Sequence, residues 1–162
     1  MIFVILGTQK FQLNRLLTLL DQYIEEEKIQ EEVFAQIGYS TYEPKHYSYV
    51  RFLDKKDYDQ KIMESDIIIS HAGVGSILNA KAAKKPIVIF PRLSKYKEHV
   101  DDHQLEVAKE FVQKKYVLCC YEHDDLYEIL VKSKLEKLES YQPQENLMIE
   151  LIQNFFNKVD EG

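Results

Sequence analysis

Short, uninterrupted apolar runs separated by longer amphipathic stretches constrain this chain more than any other feature. Ile2-Phe3-Val4-Ile5-Leu6, Asp66-Ile67-Ile68-Ile69-Ser70 and Ile87-Val88-Ile89-Phe90 show no polar residue at every second position. Such runs suit strands covered on both faces, the condition found in parallel sheets. Between the runs, apolar residues return at helical spacing, as Leu13, Leu16, Leu17, Leu20 and Ile24 do. Strands that alternate with helices imply crossover connections and a mostly parallel, doubly wound, Rossmann-like α/β sheet.

The same reading places the remaining elements. Helices are expected over about 11–28, 57–64, 75–84, 101–114 and 124–138, with a last amphipathic helix at about 146–159. Further strands are expected at Val33–Ile37, Tyr47–Leu53 and Tyr116–Tyr121, and Tyr39–Tyr49 reads as irregular. The length of 162 residues suits one domain, 1–162, with a single core. The last helix carries Leu147, Met148, Ile149, Leu151, Ile152, Phe155, Phe156 and Val159, too many for one narrow stripe. Packing on the sheet and a partner or self-association surface both accommodate it.

Charge and cysteine content exclude some classes. The net charge of −6 argues against a general nucleic-acid binder, which needs a basic face. It permits a phosphate-bearing small molecule, because helix N-termini bind anions without net positive charge. Cys119 and Cys120 are neighbours on a strand, so their side chains point to opposite faces and an ordinary disulfide is not expected. Two buried thiols fit a reducing cytoplasm. The apolar start, Met1–Leu6, is too short for a signal core or a membrane span. The expectation is a cytoplasmic chain, attached to a membrane only through a partner.

Ligands of doubly wound sheets bind beyond the carboxyl ends of the strands. Three segments fall there. Gly7-Thr8-Gln9 follows the first strand; its lone glycine fits a tight turn as well as a ligand contact, and the three-glycine dinucleotide fingerprint is absent. His71-Ala72-Gly73-Val74-Gly75-Ser76 runs into a helix, where glycines permit close approach and free amides suit phosphate oxygens. Ser76 can cap that helix, donate to phosphate, or do both. The third segment, Arg92–Gln104, ends in Glu98-His99-Val100-Asp101-Asp102-His103-Gln104. Asp101 or Asp102 fits a helix cap. His99 and His103 have i, i+4 metal spacing without the glutamate of a zinc protease, so no metal is expected. Clustered Asp, His and Gln also suit sugar hydroxyls.

Taken in order, Ser70–Ser76, Lys85–Arg92 and Glu98–Gln104 closely resemble the carboxyl-terminal, donor-binding domain of family 28 glycosyltransferases. The resemblance covers roughly residues 2–121. Within the family it is similar to the free-standing half of two-part enzymes. These include bacterial capsular and exopolysaccharide transferases and the soluble subunit of the eukaryotic dolichol-linked UDP-GlcNAc transferase.

That resemblance implies one half of a GT-B enzyme. The expected activity is inverting transfer from a UDP-sugar to a lipid-linked saccharide, without a metal cofactor. A membrane-anchored, acceptor-binding subunit would be the partner, holding the chain at the inner face of the membrane. By position, Gly7, Thr8 and Gln9 would lie beside the phosphates. His71, Gly73, Gly75 and Ser76 would form the diphosphate loop, and Phe52 and Leu53 the uracil segment. Gln104 and His103 would contact the donor sugar. Asn79 stands where the family often has a ribose-gripping glutamate, a departure that loses a bidentate contact. His71, Glu98 and His99 are the candidates for the catalytic base, unless the partner supplies it. The alternative is a non-catalytic nucleotide-sugar-binding or regulatory subunit.

Overall fold

The computed structural model of the protein describes residues 1–135. Six strands form one parallel sheet: β1 (Ile2–Ile5), β2 (Val33–Gln36), β3 (Ser48–Val50), β4 (Ile67–Ser70), β5 (Ile87–Ile89) and β6 (Leu118–Cys119). Their spatial order is β3-β2-β1-β4-β5-β6. Among the described residues five α-helices are interspersed with them, none between β2 and β3: α1 (Asn14–Glu25), α2 (Lys55–Glu64), α3 (Val74–Ala82), α4 (His103–Gln113) and α5 (Leu126–Leu135). The expected helix at 146–159, and the end of the one expected over 124–138, lie outside the described residues.

The continuous apolar runs divide between two cores, one on each face of the sheet. Ile2, Val4, Leu6, Ile67, Ile69, Val88 and Phe90 pack with α1 and α5 through Leu16, Leu17, Leu20, Leu126 and Leu130. Phe3, Ile5, Ile68, Ile87 and Ile89 pack on the other face with α2, α3 and α4 through Ile62, Ile77, Ala80, Val107 and Phe111. This is the doubly wound arrangement expected of strands buried on both sides. Cys120 joins the first core and Cys119 the second, both as free thiols. Burial pushes the Cys120 thiol up to about 12 and Cys119 higher still, so neither is a ready nucleophile.

Several boundaries differ from expectation for local polar reasons. The helix expected from Phe11 begins at Asn14, because Leu13 is non-helical at φ −137, ψ 52 and its N–H donates to Ser40 Oγ at 3.0 Å. Gln12 Oε1 accepts from the Asn14 N–H at 2.8 Å and does a cap's work from one position earlier. Helix α2 starts before Asp57 because Asp54 caps it, accepting from the Asp57 N–H at 2.8 Å. Strand β3 is shorter than the expected 47–53.

The irregular stretch after β2 is tied to α1 by one buried carboxylate. Asp21 accepts from Tyr42 Oη at 2.6 Å, the Lys45 N–H at 2.8 Å and the His46 N–H at 2.9 Å. Asn14 Oδ1 adds bonds from the Thr41 and Tyr42 amides. Hydrogen bonds to a charged acceptor are the stronger kind. Asp21→Ala is therefore expected to destabilise the protein by about 3 kcal/mol in urea unfolding. Hydrogen exchange at residues 41–47 should accelerate selectively.

Candidate functional site

Strands β1 and β4 are neighbours at the point where strand order reverses, and the loops leaving them bound the crevice of the fold. The turn after β1 is fixed by Gly7, at φ +76, and Gly38, at φ +57, which packs against it. A Cβ on Gly38 would lie 2.8 Å from the Gly7 carbonyl oxygen. Gln36, the polar end of β2, holds the same carbonyl with its Nε2 at 2.8 Å.

After β4, His71 turns into this crevice and the chain enters α3. The imidazole is 7 % exposed and sits between two glycines. A Cβ on Gly7 would stand 2.6 Å from His71 Nε2, and one on Gly73 would stand 2.2 Å from Cε1. Both glycines thus make room for the imidazole, a requirement that the phosphate reading of the sequence did not include. Gly75 differs: it is exposed in the first turn of α3, and a Cβ there would meet no protein atom within 4 Å.

Helix α3 has Gly73 at its N-cap position and no side-chain cap. Ser76 therefore does not cap it; it is the third helical residue, with Oγ 3.4 Å from His71 Nε2. The amides of the first turn and their dipole face the crevice uncapped by side chains. Tyr58 of α2 approaches both Ser76 and Asn79 with its hydroxyl, a neighbour that the sequence did not reveal. Asn79 is itself exposed.

Behind the loop lies a buried cation. Arg92, 1 % exposed, donates Nη1 to the Gln12 carbonyl at 2.7 Å and Nη2 to the Leu6 carbonyl; its Nε has no hydrogen-bond partner. Burial lowers its pKa to about 10, so it stays charged at neutral pH. Burial first, then the Arg92 charge, press His71 down to about 3 and keep it neutral.

The other expected site residues fall into place around this centre. Gln104, 6 % exposed, bridges His71, Ala72 and Arg92 and spends its carboxamide oxygen on two main-chain amides. Glu98, 1 % exposed, accepts from Arg15 Nε at 3.0 Å, Arg15 Nη2 at 2.9 Å and the Leu93 N–H at 2.9 Å. Both its oxygens are engaged inside the protein. His99 stacks on Phe11 at 4.7 Å and meets Asp101 at 3.0 Å, while His103 pairs with Glu106 at 3.5 Å.

Asp101 accepts from the His103 N–H, whereas Asp102 holds the Ser94 N–H instead of capping α4. Thr8 and Gln9 are exposed beyond Gly7. Phe52 stands at the end of β3, 46 % exposed, against Tyr39; Leu53 packs inward on the second core. Among the described residues no cluster of three His, Cys, Asp or Glu side chains could hold a metal ion. None of their helices is long and apolar enough to cross a membrane.

The site combines an uncapped helix N-terminus, a buried guanidinium and a neutral imidazole, which suits an oxyanion in a chain of net negative charge. The depressed His71 pKa also makes stability pH-dependent. The unfolded histidine takes up its proton near about 6.5 and the folded one does not, so stability falls as pH drops below that value. In His71→Gln, the slope of unfolding free energy between about pH 7 and 5 should be smaller than in the unaltered protein.

Comparison with known proteins identifies the fold and the family. The family described as "Glycosyltransferase family 28 C-terminal domain" matches residues 1–161. The UDP-N-acetylglucosamine transferase subunit ALG13 of Saccharomyces cerevisiae is 37% identical over 94 residues, 54% of this chain and 45% of that protein. The chain thus matches less than half the length of that relative. The solution structure of ALG13 superposes with a TM-score of 0.61 at 22% identity, covering 93% of each chain. MurG of Acinetobacter baumannii superposes at 0.55 and 18% identity, over 82% of this chain and 41% of that one. The fold is therefore one Rossmann-like half of the GT-B architecture, and the chain belongs to the family of glycosyltransferase family 28 C-terminal domains.

Proposed function

We propose that this chain holds the donor in an inverting, UDP-sugar-dependent hexosyltransferase, with the diphosphate at the N-terminus of α3. The observation that carries the reading is the uncapped first turn of α3, open at Gly75 and backed by the buried charge of Arg92. Helix dipole, amides and guanidinium would stabilise the diphosphate as it leaves, the role a metal cation plays elsewhere. No metal cofactor is needed for that step. Gly7, Thr8 and Gln9 border the same crevice, and Phe52 and Leu53 offer the place for the base.

The relatives support reading this chain as one subunit of a larger transferase. ALG13 is named as a subunit of a UDP-N-acetylglucosamine transferase. On our reading this chain would work with a membrane-anchored, acceptor-binding subunit on a lipid-linked saccharide, in polysaccharide biosynthesis of the capsular or exopolysaccharide kind. It would act at the cytoplasmic face of the membrane. Of the three candidate bases, His71 is neutral and hydrogen-bonded at Nδ1, and Glu98 is fully engaged. These contacts favour a base from His99 or from the partner.

Gly75→Ala separates this reading from a purely structural turn. Alanine in place of glycine should stabilise the helix by up to about 1 kcal/mol, since its Cβ meets no protein atom. The same methyl would stand in the path of a diphosphate, so UDP affinity in calorimetry should fall by about tenfold or more. Unchanged UDP affinity in a stabilised Gly75→Ala, or no UDP binding by the folded, unaltered protein, would sink the proposal.

A further inference from the structure

The bonds around Gln104 carry information about hydrogens that the heavy atoms alone do not show. Its Oε1 faces the Ala72 N–H at 3.1 Å and the Arg92 N–H at 3.0 Å. Backbone amides only donate, so this atom is the carbonyl oxygen and the orientation of the carboxamide is settled. The atom 3.1 Å from His71 Nδ1 is then the amide nitrogen, which also only donates. Nδ1 must therefore be a bare acceptor. In a neutral imidazole the single proton is left on Nε2, and that atom faces Ser76 Oγ at 3.4 Å. A hydroxyl that receives a hydrogen from one side turns its own hydrogen elsewhere. For Ser76 that means away from His71, on the side of Tyr58 and the first turn of α3.

We infer that Gln104 is a positioning residue that sets the direction of a donor chain, Gln104 to His71 to Ser76, which turns the Ser76 hydrogen toward an oxyanion at α3. The inference rests on the diphosphate reading of the site. It also assigns Gln104 a different task from the sugar contact that the family resemblance implies, because its oxygen is already spent on two main-chain amides.

The surroundings keep the direction constant. Facing the ring are Arg92 from the loop after β5 and His99 from the loop before α4, and burial and the Arg92 charge oppose a second proton. From α3 comes Ser76, from α2 Tyr58 by way of Ser76, and from the turn after β1 only the Gly7 backbone. Among the described residues no carboxylate joins these neighbours; Glu98 acts on Arg92 and is held by Arg15.

Gln104→Glu reverses the chain with little change of shape. One carboxylate oxygen still accepts from Ala72 and Arg92, but the other now accepts from His71, moving the neutral proton to Nδ1. Nε2 then takes the Ser76 hydrogen, and Ser76 turns a lone pair to the oxyanion. The new carboxylate also favours the imidazolium, so acid restores a proton to Nε2.

Two measurements test this. Long-range nitrogen–proton correlation spectra of histidine-labelled protein should show unaltered His71 protonated at Nε2 and bare at Nδ1 near neutral pH. Protonation at Nδ1 would overturn the inference. By calorimetry, UDP should bind Gln104→Glu about tenfold more weakly than the unaltered protein near pH 8.5, and the ratio should close toward one near pH 6. Taking the ratio cancels the ionisation of UDP itself. A ratio independent of pH, or an unchanged tautomer in the variant, would overturn the inference. If the variant does not fold, the spectrum of the unaltered protein decides. If that spectrum shows the Nε2 proton while UDP fails to bind, the diphosphate reading falls and the donor chain stands.

Discussion

The guanidinium of Arg92 sits on the carbonyl of Leu6, where β1 ends, and on that of Gln12, where the following loop turns toward α1. A parallel sheet leaves its carboxyl-end loops without ladder partners, yet their buried polar groups must be satisfied. Here long side chains meet that demand. Arg92 joins the loop after β5 to the loop after β1. Gln104 joins the start of α4 to the loops after β4 and β5. Glu98, gripped by Arg15, folds the loop after β5 onto α1. Arg15 in turn lies over the Phe90 and Tyr96 rings at 4.4 and 4.8 Å. The crevice is thus built from fixed polar struts, and a charge buried for structural reasons becomes available to an anion beside it.

How much of this was legible in the residues depended on whether the signal was local. Ile67-Ile68-Ile69 and Ile87-Val88-Ile89 announced two-sided burial directly, and the adjacent cysteines announced opposite faces. The start of α1 was not legible. Its position is decided by Ser40, 27 residues away from Leu13 in the chain, and no local pattern contains that bond. The same holds for the glycines. Gly73 read as a place of close ligand approach, and Gly7 as that or a tight turn, but the imidazole of His71 already occupies the space beside both. Arg92 stood at the head of a recognised segment with nothing to show that it would be buried. Tyr58 lay in an ordinary helical stretch. A better signal existed in Gln36 and Ser70, polar residues ending apolar strands, which mark where strand ends turn toward a polar site.

The chain is acidic overall, and the crevice is not. Two acidic groups of the segment that borders it, Glu98 and Asp102, are each committed to a main-chain or guanidinium donor inside the loop they shape. Local arrangement, not net charge, therefore governs what the crevice attracts. Uncapped amides, one guanidinium and one neutral imidazole give a field that does not switch off across the ordinary pH range.

The seat of His71 has a consequence for how this part of the sequence can vary. Gly7 and Gly73 both clear the same ring, but for unequal reasons. Gly73 lies at φ −87, a conformation open to any residue, so only the imidazole forbids a side chain there. Gly7 lies at φ +76, and its backbone demands glycine whatever stands at position 71. The dependence therefore runs one way. A smaller residue at 71 would release position 73 to vary, while position 7 would stay bound to glycine, so the two turns would drift apart in sequence while keeping one shape.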